Sequence, residues 1–140
     1  MLSRLFGSKT VKTEPLPYDE AKQQARSHDP EVRRSLARRE DIKPEILYYL
    51  AEDPAPSVRR EIAANKATPG QANLLLANDL DEEVRSDLAR KIGRLLPNLS
   101  ATEASRLREM TLEVLEVMAR DQLPRVRAIL SEELKHSDRV

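Results

Sequence analysis

Valine recurs at a fixed interval of 26 residues, at Val32, Val58 and Val84, and this periodicity limits the fold more than any single motif does. Each valine is followed by an arginine (Arg33, Arg59, Arg85) and, four residues on, by an aliphatic side chain (Leu36, Ile62, Leu88). Seven residues before each valine stands an alanine: Ala25, Ala51 or Ala77. A fourth copy, Ala119, Val126, Arg127 and Leu130, follows after a longer gap of 42 residues. Pro30, Pro56 and Pro124 occupy one slot, two residues before their valines. A chain that repeats itself on this length is a stack of small units, none able to bury its apolar face without a neighbour.

Each unit reads as two short helices. Asp29-Pro30-Glu31-Val32 offers an N-cap, a proline at the first helical position and an acid in the first turn. Asp81-Glu82-Glu83 does the same without proline. Val32, Leu36 and Ala37 then mark a helical stripe rather than a strand alternation. The second helix begins near Lys43-Pro44-Glu45, and again at Thr68-Pro69-Gly70-Gln71, where Thr68 and Gln71 have the spacing of a capping box. Ser100-Ala101-Thr102-Glu103 is a further box, opening a longer helix to about residue 121 that accounts for the longer gap. The fold class is therefore all-α, an α-solenoid with a period near 26 residues. Residues 1–17 read as a flexible N-terminal segment and 18–140 as the helical repeat domain, with units near 18–43, 44–68, 69–102 and 103–140.

The run from Ala51 to Asn65, with Asp53-Pro54-Ala55-Pro56-Ser57-Val58-Arg59-Arg60 at its centre, resembles HEAT-like repeats, and more closely the short leucine-rich-repeat variant of bacterial proteins. Residues 18–140 are similar to the N-terminal part of a bacterial family of unknown function built from such degenerate repeats. Pro44–Leu50 and Asp121–Arg127 carry that likeness best. The resemblance implies a helical scaffold and no known reaction. The iron–sulfur module of the variant repeat cannot carry over, because the chain has no cysteine. In HEAT-like repeats, acids and arginines pair between neighbouring units. The likeness thus implies a structural ladder of Asp53, Asp79 and Asp121 with Arg33, Arg59, Arg85 and Arg127.

Composition removes several function classes. Without cysteine there is no disulfide, thiolate metal site or cysteine nucleophile, and three glycines cannot build a glycine-rich phosphate cradle. Lys+Arg 24 balance Asp+Glu 24, and no block along the chain is markedly basic. His28 and His136 are the only histidines, in different units, so no metal site is expected. No run of apolar residues is long enough to span a membrane. Met1–Gly7, a small apolar patch with one arginine, reads as a free terminus rather than a membrane anchor.

The expected function is a non-catalytic, cytoplasmic scaffold that mediates protein–protein interaction, with no cofactor. The alternative is a HEAT-like nucleic-acid-binding or DNA-base-processing module; neutral charge and the absence of tryptophan weigh against it. A pigment- or cofactor-lyase relative is a weaker third reading. Candidate partner-binding residues are the second arginines of two of the units, Arg34 and Arg60, expected to be exposed and free, with Arg38, Arg39 and Arg90 adding charge to the same helices. Tyr48 and Tyr49 are the one aromatic cluster of the repeats, and one of them is expected to point away from the core. The partner is another protein. Self-association through an open C-terminal end, or continuation into a longer protein, is also expected, since no polar cap follows Leu134.

Overall fold

Proline sets the start of four helices. A computed structural model of the chain describes residues 15–95 and 112–138, with side chains as far as Glu133. Within them run α1 (Tyr18–Ala25), α2 (Pro30–Ala37), α3 (Pro44–Ala51), α4 (Pro56–Ala64), α5 (Gly70–Ala77), α6 (Glu82–Leu95), α7 (112–119) and α8 (Pro124–Asp138). Proline is the first residue of α2, α3, α4 and α8, where its missing N–H would have been unpaired in any case. All regular structure among the described residues is helical, so the chain is all-α there.

Two starts are closed by aspartate. Asp29 accepts from the Glu31 amide at 2.9 Å, and Asp81 from those of Glu83 and Val84 at 2.8 and 3.3 Å. The start of α5 departs from the expected capping box. Pro69 occupies the cap position without a side-chain bond, and the buried Thr68 hydroxyl donates instead to the Ile62 carbonyl, 2.8 Å away. A buried hydroxyl must find an acceptor, and the Ile62 carbonyl in the last turn of α4 takes it beside the Asn65 amide, 3.2 Å away. The Ser100–Glu103 box lies outside the described residues.

The helices pack in two rows. α2, α4, α6 and α8 lie each against the next, and so do α1, α3 and α5; α1–α2, α3–α4 and α5–α6 join the rows. α7 stands beside the end of α5, across a cleft with Ala77 and Leu80 on one side and Glu116 and Val117 on the other. Leu36, Leu47, Leu50, Ile62, Leu76, Leu88 and Met118 fill the space between rows and are fully buried. Each such side chain contributes about 1.5–3 kcal/mol relative to exposure. Val58, Val84 and Val126 are buried to 0% exposure, while Val32, on the first helix of its row, is half-buried.

Candidate functional site

Beneath the loops that lead into the α2 row runs a series of arginine–aspartate pairs. Arg33 grips Asp53 with two nitrogens at 2.7 and 3.2 Å, Arg59 grips Asp79 at 2.8 and 3.2 Å, and Arg85 grips Asp121 at 2.7 and 3.5 Å. The third guanidinium nitrogen of each turns back six residues. It donates to the Ser27 carbonyl at 2.7 Å, the Asp53 carbonyl at 2.7 Å and the Asp79 carbonyl at 2.6 Å. Arg127 bonds the Asp121 carbonyl in the same way and is exposed. The aspartates also accept from the amide two residues on, Ala55, Asp81 and Leu123, at 2.9, 2.9 and 3.0 Å. One carboxylate therefore fixes its own loop and receives the arginine of the preceding helix pair. Bidentate, charge-assisted bonds of this kind are directional as well as strong.

The other arginines named from the sequence are not free. Arg34 and Arg38 both reach Glu61, at 2.9 and 2.7 Å. Arg60 reaches Asp87 at 2.7 Å, Arg90 the same aspartate at 2.9 Å, and Arg39 reaches Asp41 at 2.8 Å. The expectation of unpaired second arginines fails for a simple reason. Glu61 on α4 and Asp87 on α6 stand opposite Arg34 and Arg60 of the preceding helix in the row, so each positive charge meets a carboxylate of its neighbour. Among the described residues these helices leave no uncompensated arginine stripe.

The tyrosines differ from expectation in the other direction: both are exposed, not one. The buried face of α3 is made by Ile46, Leu47, Leu50 and Ala51, which leaves Tyr48 and Tyr49 outside it. Tyr49 is 55% exposed. It stands where two hollows meet, one of ≈ 170 Å³ with Tyr18 and Ile46, the other of ≈ 450 Å³ running toward His28 and Pro54. The Tyr18 ring carries Lys22 and Lys43 at 5.3 and 4.7 Å from its centre. Its hydroxyl is pushed above its usual pKa, first by the hydrogen bond to Glu45 and then by desolvation.

One further constellation escaped the sequence reading. Lys91 is buried and donates to the Asn73 side-chain oxygen at 2.5 Å, to the Asn65 carbonyl at 3.0 Å and to the Ile62 carbonyl at 3.4 Å. Asn65 in turn donates to the Ala37 and Arg39 carbonyls at 2.9 and 2.8 Å. The ends of α2 and α4 are thus closed by side chains from the next member of their row. Burial lowers the Lys91 ammonium to a pKa of about 7. His28 lies exposed in a loop, and among the described residues no three His, Asp or Glu side chains converge as metal ligands. No helix among the described residues is long and apolar enough to cross a membrane.

The exposed large apolar side chains fall on one side of the molecule. Tyr18, Tyr48, Tyr49, Leu75 and Leu112 belong to α1, α3, α5 and α7, and Leu80 to the loop after α5. None among the described residues belongs to α2, α4, α6 or α8. Comparison with protein-family models, curated proteins and solved structures returns no match.

Proposed function

We propose that the chain is an α-solenoid of units about 26 residues long, acting as a non-catalytic scaffold that binds another protein along the exposed face of α1, α3, α5 and α7. The observation that carries this reading is the segregation of exposed Tyr48, Tyr49, Leu75 and Leu112 onto that one row. Apolar side chains gathered on one face, with aromatic residues among them, mark interaction surfaces. The two-row packing and the arginine–aspartate pairs recurring in register support the solenoid, because such pairs lock one helix pair to the next. The pairing of Arg34, Arg38, Arg60 and Arg90 with carboxylates leaves little to recommend the nucleic-acid alternative.

The test is affinity capture from a bacterial lysate with the full chain and two variants, compared by quantitative mass spectrometry. Tyr49→Asp with Leu75→Asp should release the captured protein. Ser57→Arg, on the exposed part of α4, should retain it. Equal capture by both variants would reject the surface, and capture of nucleic acid alone would reject the scaffold reading.

A further inference from the structure

The formal charge of zero conceals a separation between the rows. α1, α3, α5 and α7 carry five carboxylates (Asp19, Glu20, Glu45, Glu113, Glu116) and a single lysine, Lys22. α2, α4, α6 and α8 carry eleven basic side chains against eight acidic ones. Pairing differs as well. In the second set Glu31, Glu61, Glu82, Glu83, Asp87 and Glu133 all have an arginine within 4.0 Å, at distances up to 3.7 Å. In the first set no carboxylate is in an ion pair among the described residues.

The arrangement has a centre. α5 has no charged residue and Leu75 is 38% exposed on it, while α3, the next helix of the row, exposes Tyr48 and Tyr49, the latter on the side toward α1. The helices on either side of α5 carry carboxylates: Glu45 on α3, with Glu52 just after it, and Glu113 and Glu116 on α7. The cations of the face are fewer: Lys22 and Arg26 share a hollow with Glu45 and Tyr49, and Arg120 a cleft with Glu116. Lys22 and Lys43 lie over the Tyr18 ring, and Arg26 and Arg120 follow the ends of α1 and α7. We infer that the partner presents a basic amphipathic segment, its apolar side chains on α5 and Tyr49 and its lysines or arginines toward the flanking carboxylates. This rests on the proposed docking face and adds the chemistry of what docks there. Glu45 already accepts from the Tyr18 hydroxyl, and the excess of carboxylates on these helices would steer such a segment from a distance.

The probe is a fluorescently labelled amphipathic helix of leucine and lysine, with its leucine–glutamate counterpart, each titrated into the full chain by anisotropy. The lysine peptide should bind about tenfold or more tighter than the glutamate peptide near physiological salt, and lose affinity as salt rises. Glu45→Lys with Glu116→Lys should weaken it about tenfold, while Glu31→Lys on α2 should change nothing. Equal binding of the two peptides, binding of neither, or indifference to the Glu45/Glu116 reversal overturns the inference. The same reversal in the capture experiment separates the two ideas. Capture lost with Tyr49→Asp and Leu75→Asp but kept with Glu45→Lys and Glu116→Lys preserves the docking face and overturns the basic partner. Capture indifferent to the apolar changes rejects the face itself.

Discussion

Asp53, Asp79 and Asp121 show how one residue type can hold a loop and an interface at once. Asp53 is only 5% exposed and Arg33 is mostly covered, so their separation in a mutant would leave a guanidinium without its counter-charge. Asp53→Ala should cost about 3 kcal/mol in urea unfolding, and Asp53→Asn less, since an amide oxygen can still accept from Ala55. Equal stability of Asp53→Ala and the parent would show that the pair carries no weight. Lys91 makes the pH dependence legible. Its folded pKa, about 7, lies below the ordinary lysine value of 10.5. Between these pH values the unfolded chain holds the proton and the folded chain does not, so stability contributed at this site rises with pH. The wild type should gain on Lys91→Met by up to about 1 kcal/mol per pH unit from pH 7 to 9. A difference that stays flat across that window would mean that the ammonium remains charged in the fold.

At the scale of helices, sequence signals were readable where their partners are local. Asp29 and Asp81 close helices that start one residue later, and the prolines sit where only a helix start tolerates them. Thr68 misled because its hydroxyl donates to the Ile62 carbonyl, six residues back, instead of accepting from an amide of its own box. Asn65 and Lys91 were invisible for a different reason. Arg39, Asn65, Lys91 and Glu133 occupy corresponding positions, so a shared task in two of them is hidden by four unlike residues. Gly93 marks the contact of α6 with α8. A Cβ there would stand 2.5 Å from the Glu133 Cβ, atoms that cannot move without the helices moving. Glycine to alanine inside a helix normally adds about 0.5–1 kcal/mol of stability. Here crowding should reverse the sign, and Gly93→Ala should lower the melting temperature, with a loss of about 1–3 kcal/mol. A higher melting temperature would show that α8 does not approach α6 so closely.

Across the whole molecule, the division of charge and apolar surface between the rows could not be found by counting along the chain. The rows alternate with each helix, so any block of the sequence averages acidic and basic faces to near zero. Tyr48 and Tyr49 were singled out correctly as aromatic, yet only the buried set Ile46, Leu47, Leu50 and Ala51 decides that both are outward. The arginines attracted notice because they repeat; their acids, Glu61 and Asp87, stand one helix further along the row and neutralise them. The proposed docking face is that of α1, α3, α5 and α7. The most direct measurement is photo-crosslinking in living cells, with a photoreactive phenylalanine analogue placed at Tyr49 in one strain and at Ser57 in another. A discrete adduct of higher mass from position 49 and none from position 57 is the expected result. An adduct from position 57 alone, or from neither, would contradict the account.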